Sequence, residues 1–475
     1  MSEAVENGIS IAIVGGGISG LAAALRVHAS APTVDVKLFE ASDQLGGLLR
    51  TERRDGFLIE RSADSFITDT RWGVDFCRKV GLESQLINTR ETDRRAFVVR
   101  RGRLVPIPVG FQIMAPTSLW SIWSSPLLSV RGKLRLCGEP WIPRRASDAP
   151  EESLEEFATR RLGREVFERL VQPLVSGIYA ANPQQLSVAA TMPRFIEMER
   201  RHGSLVRGLR ATQAEKDGDG QESGARYGMF VSLRDGIGSL IDAVRERLPT
   251  GVVRENCRID KLSRRNGRWS LSIEGKEEAH PCDRLILATS SRVAAGLLRD
   301  CDERLAEKLQ RIRLGSCAVV CLGYQRDQMK ESLHGFGFVV PSIENRPLLA
   351  ASYASEKFAG RAPDDAVLVR AFIGGADRED LMDLDDRELS AIAQDELRDL
   401  AGFSGTPLLS DVSRWTNAMP QYHVGHLSLV EEIENHIAQL GHLAVIGNAF
   451  HGVGIPACIH HAELAVDRLL SRQKT

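Results

Sequence analysis

This sequence lacks several features, and each absence excludes a class of protein. It contains no continuous run of roughly 18 apolar residues, the length that a membrane-spanning helix needs. Its formal net charge is −2, with charges spread along the chain, which is not the pattern of a nucleic-acid-binding protein. The opening segment MSEAVENG has neither the basic nor the apolar part of a signal peptide, so a cytoplasmic location is expected.

Paired cysteines and metal-ligand motifs are also missing. The eight cysteines contain no C-x-x-C pair, and the sequence has no H-E-x-x-H motif. We therefore expect reduced, mostly buried thiols and no metal site. Cys317 and Cys321 lie in CAVVCLGY, a β-branched run that predicts a strand with both thiols on one face.

The most informative stretch is IAIVGGGISGLAAALRVHA at 11–29, an apolar run that enters a glycine-rich turn and then a helical pattern. Gly15, Gly17 and Gly20 have the G-x-G-x-x-G spacing of a dinucleotide-binding turn. The next apolar run, VDVKLFE, ends in Glu40, where a carboxylate can bind ribose hydroxyls. Glycines that only pack a helix onto a strand are the alternative.

The residues after this acid favour FAD as the cofactor. Gly46 and Gly47, followed by Arg50, would place backbone amides and a cation beside the same phosphates. A second G-x-G-x-x-G after a strand is missing, so a separate nicotinamide-nucleotide site is not expected. Oxygen, or a quinone, is the expected electron acceptor.

A second glycine-rich turn lies near the C-terminus, in HLAVIGNAFHGVGIPACIHHAELAVDRLL. A strand precedes Gly447, Gly452 and Gly454, and a helix is predicted to start near Pro456. The amides at that helix N-terminus would stabilise negative charge on a reduced flavin. Three further residues are expected at the FAD: Val253, Val453 and Ile455.

Histidine is concentrated in the last quarter of the chain, where most of these side chains are expected to be structural. His451, beside the C-terminal turn, is the single candidate for proton transfer, and no dedicated protein base is expected.

Helices are predicted at 153–171, where Ser153 and Glu156 have capping-box spacing, and at 387–401, ended by Gly402. Residues 211–226 are polar and glycine-rich and are predicted to form an exposed loop.

Residues 91–145 carry ten basic residues against three acidic ones. They also contain the apolar stretch VPIPVGFQIMAPTSLWSIWSSPLL, with Trp120 and Trp123. This composition suits peripheral contact with an anionic membrane, at the inner face of the cell membrane. A helix packed on the core of the protein is an equally good interpretation, and the basic excess could also receive a polyanionic substrate.

Five further segments carry a family resemblance. The chain resembles the oxygen-dependent porphyrinogen oxidases of haem synthesis, which act on protoporphyrinogen IX or coproporphyrinogen III. The resemblance covers nearly the whole chain. The matching segments are IERSADSF at 59–66, QPLVSGIYAANPQQLS at 172–187, HGFGFVVPSIE at 334–344, RWTNAMPQYHVGH at 414–426 and GVGIPACI at 452–459.

The resemblance implies an α/β fold of amine-oxidase type, with a discontinuous Rossmann-like FAD domain, a mixed-sheet substrate domain and a helical domain. The FAD domain would comprise 1–90, 228–300 and 411–475, three pieces that share an alternation of strand and helix. The substrate-binding domain would comprise 91–112, 206–227 and 301–410, and a helical, membrane-facing domain 113–205.

By the same resemblance, the implied reaction is a six-electron oxidation in three flavin cycles, with oxygen reduced to peroxide. The residues that stand where the family lines its substrate pocket are Arg95, Ala96, Gly177, Phe336, Phe338 and Tyr353. Many protoporphyrinogen oxidases have arginine at the position of Ala96, so the small residue favours coproporphyrinogen III. Ala457 and His461 also depart from the family pattern, where aspartate and glycine are usual. The choice between the two porphyrinogens stays open.

Two other functions remain as alternatives. A flavin amine oxidase or carotenoid desaturase shares the N-terminal glycines, and Cys458 is the residue to which an amine oxidase could attach its flavin. A non-catalytic binding protein on the same nucleotide fold is the second. The sequence leaves open whether the chain forms a homodimer.

Overall fold

The computed structural model describes residues 8–91, 94–116, 119–146, 148–218, 230–330 and 335–471. The first structural unit is a five-stranded parallel sheet assembled from distant parts of the chain. Its strands, in spatial order, are Val253–Arg254, Asp35–Phe39, Ser10–Val14, Arg284–Leu287 and Leu443–Val445. The central three are mostly apolar and buried beyond their first residues, as expected for parallel strands covered on both faces.

Helices and a small sheet cover the two faces of this sheet. Alternation along the strand Ser10–Val14 sends Ile11 and Ile13 into one core, and Ala12 and Val14 into the other. The first core contains the helices Ile18–Ser30, Trp72–Lys79, Gly238–Arg247 and Ile455–Ser471. The second contains the helices Ser291–Leu298, Glu303–Gln310 and His426–Leu440, and the antiparallel strands Ile259–Arg265, Arg268–Ile273 and His280–Cys282.

The second unit is a seven-stranded mixed sheet. In spatial order its strands are Leu409–Gln421, Arg313–Gln325, Ala366–Gly374, Leu348–Tyr353, Gly337–Val339, Phe97–Arg100 and Arg103–Pro106. The helix Asp386–Ala401 covers one face and is capped by Asp385. Its end at Gly402 confirms the prediction. The strand Arg313–Gln325 contains Cys317 and Cys321, which confirms the strand prediction.

The third unit is helical. Its helices are Leu119–Ser124, Val130–Cys137, Leu154–Leu162, Arg164–Val166, Gln172–Tyr179, Val188–Thr191, Pro193–His202 and Leu205–Gly218, with a π-helical turn at Phe167–Val171. The predicted capping box of Ser153 and Glu156 is confirmed. The single helix predicted over 153–171 is wrong, because Gly163 has φ 96° and breaks it.

Shorter elements connect these units. The strands are Thr51–Arg54 with Phe57–Glu60, Phe66–Ile67 with Phe230–Leu233 and Leu86–Asn88, and Phe111–Gln112 with Ala115–Pro116. A short helix spans Ala354–Lys357, and 3₁₀ turns lie at Glu83–Gln85, Glu139–Trp141, Arg326–Gln328, Ser342–Glu344 and Glu379–Asp383.

Two predicted boundaries need correction. Position 411 falls within the strand Leu409–Gln421, whose pairing with Arg313–Gln325 places it in the seven-stranded sheet. The predicted loop at 211–226 begins as helix, because Leu205–Gly218 continues through its first half, while 219–226 lie outside the described residues. That helix packs on Pro193–His202, so we propose three domains with 206–218 in the helical one. Within the described ranges, every helix is too short or too polar to cross a bilayer.

Candidate functional site

The backbone of the N-terminal glycine turn packs so tightly that it requires glycine at Gly15 and Gly20. Gly15 has φ 109° and donates its N–H to the carbonyl of Phe39 at 2.8 Å. A Cβ on Gly20 would lie 1.9 Å from the carbonyl oxygen of Gly15. Any side chain at Gly20 would therefore separate the helix Ile18–Ser30 from the turn before it.

Gly17 differs from these two glycines because nothing fills the space beside it. A Cβ there would meet no atom closer than the Gly46 carbonyl oxygen, at 4.0 Å. The N–H of Gly46 donates to the Gly16 carbonyl at 2.9 Å, so the two glycine segments run side by side. Between them lies a backbone-lined cradle at a helix N-terminus, which fits a pyrophosphate.

Glu40 lies at one end of this cradle in a fixed orientation. Its Oε2 accepts the Gly16 N–H at 2.7 Å, and its Oε1 accepts the N–H and hydroxyl of Ser42 at 2.9 and 2.8 Å. The strand containing Val253 runs alongside, and the Arg254 carbonyl accepts the Glu40 N–H at 2.9 Å. The carboxylate is therefore held where a nucleotide ribose would be recognised.

Arg50 supplies a cation with unused hydrogen-bonding capacity. It follows Gly46 and Gly47, and its Nε is buried with no hydrogen-bond partner among the described residues. A buried donor without a partner is unfavourable, and a bound phosphate would relieve it. Together with the cradle beside Gly17, this donor shows that the residues present fit the diphosphate of FAD.

The C-terminal turn is held by a tyrosine that the sequence prediction missed. The hydroxyl of Tyr422 donates to the Asn448 carbonyl at 2.6 Å and accepts the Gly452 N–H at 2.9 Å. Its ring stacks on His426 at 4.0 Å, and His426 Nε2 lies 3.2 Å from the Phe450 carbonyl oxygen. The predicted segment MPQYHVGH contains both residues, but nothing local in it indicates these partners.

The helix after this turn begins at Ile455, which confirms the prediction of a start near Pro456. The turn itself contains Gly447, Gly452 and Gly454, and Val453 packs against the core of the helical unit. The C-terminal turn is thus in contact with two of the three structural units.

His451 is exposed and already paired. Its Nε2 lies 2.6 Å from Glu434 Oε1, and its ring stacks on His461 at 4.6 Å. The hydrogen bond from His451 lowers the pKa of Glu434. Burial, together with the neighbouring histidines, lowers the pKa of His461 to about 4. His460, next to it, stacks on Trp72 at 3.8 Å.

The sheet side of the site brings most of the predicted substrate residues together. The carbonyl of Arg95 accepts the Phe336 N–H at 2.7 Å, and that of Ala96 accepts the Ile107 N–H at 2.9 Å. Across from these strands, a Cβ on Gly177 would lie 3.6 Å from Val339. The helix Gln172–Tyr179 therefore approaches the sheet closely at Gly177.

Phe338 and Tyr353 occupy the other face of that sheet, which corrects their predicted position. Each is only 2% exposed, and both pack in the core beneath the helix Asp386–Ala401. Because side chains alternate along a strand, Val339 and Ala350 are the ones that face Gly177. These aliphatic side chains pack against the helix Gln172–Tyr179 at Gly177.

A buried ionic cluster joins the segment IERSADSF to the seven-stranded sheet. Asp64 lies 3.1 Å from Lys357 Nζ and 3.2 Å from Arg370 Nη1. Burial alone would raise the pKa of Asp64, but the charges of Lys357 and Arg370 hold it well below its usual range. Arg370 also donates to the Ser62 carbonyl. This cluster fixes the position of 62–65 relative to the sheet.

Cys458 points into the protein interior. Burial raises the pKa of its thiol to about 11, and its Sγ lies 3.7 Å from the Gly452 carbonyl oxygen. A neutral, buried thiol is a poor nucleophile for flavin attachment.

Comparison with known proteins agrees with this geometry. The model of the family "Flavin containing amine oxidoreductase" matches residues 18–470. A coproporphyrinogen III oxidase of Bacillus subtilis is 32% identical over 97% of this chain and 98% of its own. Protoporphyrinogen oxidase 1 of Arabidopsis thaliana is 30% identical over 97% of this chain and 88% of its own.

Solved structures extend the comparison to the fold. One provisionally assigned as a protoporphyrinogen oxidase, from Exiguobacterium sp. 255-15, covers all of both chains with a TM-score of 0.86 and 30% identity. A putrescine oxidase covers 98% of this chain with a TM-score of 0.70, but at 14% identity it supports the fold alone.

These findings confirm the predicted amine-oxidase-like α/β fold, the FAD cofactor and the oxidoreductase class. This chain therefore belongs to the flavin containing amine oxidoreductase family, together with the coproporphyrinogen III oxidases and protoporphyrinogen oxidases that it matches over nearly its whole length.

Proposed function

We propose that this protein oxidises a porphyrinogen to the corresponding porphyrin, with FAD as the immediate oxidant and oxygen as the final acceptor. One observation carries the proposal. Proteins named coproporphyrinogen III oxidase and protoporphyrinogen oxidase match the chain over nearly its whole length. The match includes the sheet and helical units as well as the FAD cradle. The amine oxidases share only the fold at 14% identity.

The reaction removes six electrons and six hydrogens from the macrocycle, and three oxygen molecules become three molecules of hydrogen peroxide. When bound, FAD would supply two-electron acceptor chemistry, and Gly17, Glu40 and Arg50 are the residues placed to hold it. The protein has to hold FAD and a flat substrate in a fixed relation, since aromatisation of the macrocycle drives the reaction.

The contacts of several side chains favour a protein that positions its substrate and cofactor over one that supplies acid–base chemistry. Gly177 lets the helix Gln172–Tyr179 pack closely on Val339 and Ala350, which fixes this helix against the sheet that carries the predicted substrate residues. Tyr422 holds the C-terminal turn through two hydrogen bonds. His451 is exposed and paired with Glu434, so we propose that it does not act as the base.

Coproporphyrinogen III is the preferred substrate in this proposal. Ala96 is half-buried and adds no charge beside the sheet edge, while Arg95 is exposed. A small residue at Ala96 takes up less space than an arginine would, and we propose that a substrate with four carboxylates places them on this side of the site.

The test compares porphyrin fluorescence over time in air, with coproporphyrinogen III or protoporphyrinogen IX and an enzyme-free control for autoxidation. We expect faster oxidation of coproporphyrinogen III and three peroxides for each porphyrin formed. Gly17→Ala is a matched inactive control, because the open space beside Gly17 lets the variant fold while its methyl group occupies the phosphate cradle. Acceleration of neither porphyrinogen would refute the proposal and return attention to amines and carotenoids.

We also propose peripheral contact with an anionic membrane through the helical unit, at the inner face of the cell membrane. Trp120 and Trp141 are 81% and 77% exposed, while Ile122 beside Trp120 is fully buried. Lys133 Nζ donates to the Trp123 carbonyl at 2.7 Å and supplies positive charge beside that tryptophan. In vesicle sedimentation, the protein should bind vesicles rich in anionic lipid and not neutral ones. Equal recovery in the supernatant with both would refute this contact.

A further inference from the structure

Arg194 is an arginine without a partner. It is the second residue of the helix Pro193–His202, and its side chain is exposed. Among the described residues, its guanidinium makes no ion pair or hydrogen bond and contacts only the Phe195 ring, 4.6 Å from the ring centroid. Farther along the same helix, Arg200 and Arg201 both pair with Glu197. Glu197, three positions after Arg194, is therefore already occupied by these two arginines.

Arg194 is close to polar groups of two structural units. Burial by the surrounding protein lowers the pKa of Arg194, while Asp69 and Tyr179 act in the opposite direction without bonding to it. Asp69 belongs to the loop between the strand Phe66–Ile67 and the helix Trp72–Lys79 of the FAD-binding unit, and Tyr179 ends a helix of the helical unit. Arg194 is therefore placed where these two units meet.

Elements of the proposed active site lie close to Arg194. Tyr179 ends the helix that carries Gly177, and its hydroxyl lies 3.4 Å from the Thr191 carbonyl, near Arg194. Tyr179, Val339 and Val453 pack against one shared hydrophobic core. In the FAD-binding unit, Gly73 of the helix Trp72–Lys79 lies against Pro456, at the start of the C-terminal helix.

We propose that Arg194 binds a carboxylate of the substrate, orienting the macrocycle through one of its propionate side chains. This inference rests on the proposed function. A planar guanidinium can bind a carboxylate through two parallel hydrogen bonds. Asp69 of the FAD-binding unit repels a carboxylate, so the propionate edge of the substrate faces the helical unit.

The test uses steady-state kinetics of the FAD-loaded enzyme with coproporphyrinogen III. Arg194→Gln should raise KM about tenfold, as the loss of one charged contact predicts, and leave kcat within about twofold. Arg194→Lys should recover part of the loss because it keeps the charge. Arg200→Gln is the matched control on the same helix and should leave both constants unchanged.

A binding measurement separates charge from shape and does not depend on turnover. Coproporphyrin III and its tetramethyl ester are titrated into the FAD-loaded enzyme while porphyrin fluorescence is followed. Arg194→Gln should weaken binding of the acid and leave binding of the ester unchanged. FAD content and thermal unfolding report whether the variant is folded.

The possible outcomes distinguish failure of the Arg194 proposal from failure of the proposed function. If the unaltered enzyme oxidises neither porphyrinogen, the proposed function fails. If it does oxidise one, an unchanged KM and an unchanged acid-to-ester affinity ratio in Arg194→Gln overturn the role of Arg194 alone. A fall in kcat with KM unchanged also overturns it, because Arg194 would then act on the reacting geometry.

Discussion

The hydroxyl of Tyr422 should control how tightly the protein holds FAD. Tyr422→Phe keeps the ring and its stacking on His426, but leaves the Asn448 carbonyl and the Gly452 N–H without their partner. A buried group left unsatisfied costs about 1–3 kcal/mol. Asn448 and Gly452 are only half-buried, so water can replace part of the loss. We take a total of about 2 kcal/mol.

If this loss of free energy makes the C-terminal turn less ordered, the Kd for FAD rises about thirtyfold, since 1.4 kcal/mol corresponds to tenfold. The measurement is quenching of FAD fluorescence during titration of apoprotein with FAD. Tyr324→Phe is the matched control. Tyr324 is equally buried, its ring packs on Phe403 at 4.8 Å, and its hydroxyl bonds to none of the described residues.

We expect FAD affinity in the Tyr324→Phe protein to match that of the unaltered protein. An unchanged Kd in Tyr422→Phe would refute the reasoning, since it would mean that the turn keeps its shape without the hydroxyl. A loss of stability with no change in Kd would mean that the two hydrogen bonds serve folding alone and that FAD does not depend on this turn.

Three further predictions follow from single features of the site. Gly17→Ala should fold normally and lose FAD, whereas Gly20→Ala should also fail to fold, since its Cβ would collide with the preceding turn; circular dichroism and flavin absorbance separate the two. The unfolded state binds a proton on His461 near its ordinary pKa of 6.5 and the folded state only near 4, so stability should fall as pH drops between these values. Urea unfolding of His461→Gln should show a shallower pH dependence, and an identical slope would contradict this assignment. His451→Ala should keep porphyrin formation within about tenfold, and a loss of three orders of magnitude would instead identify His451 as a general acid–base.

The parts of the site that depend on local spacing were predictable from the sequence. Gly15, Gly17 and Gly20 act within one turn and one helix, so their spacing alone indicates their role. Glu40 and its strand follow directly in the chain. The helix Asp386–Ala401 was equally accessible, because both of its ends are specified by neighbouring residues.

The parts that depend on distant pairing were not predictable. The partner of Tyr422 is Gly452, thirty positions away, and no local pattern connects them. Which face Phe338 occupies depends on where the helix Asp386–Ala401 docks, so the rule of alternation alone could not place it. Nothing in the sequence distinguishes Arg194 from the other arginines. Its lack of an ion-pair or hydrogen-bond partner among the described residues is visible only in the structure.

The order of strands in the five-stranded sheet has a consequence for synthesis of the protein. The strands Ser10–Val14 and Asp35–Phe39 emerge first, but their neighbour Arg284–Leu287 and the edge strand Leu443–Val445 come hundreds of residues later. At a usual rate of 5–20 residues per second, about 20 to 80 seconds separate the second strand from the last. During that time the nascent chain presents an apolar strand edge and an incomplete cradle, so FAD can be captured only near the end of translation. Chaperone protection of the early βαβ segment, and the supply of FAD at chain release, would then determine how much active protein a cell obtains.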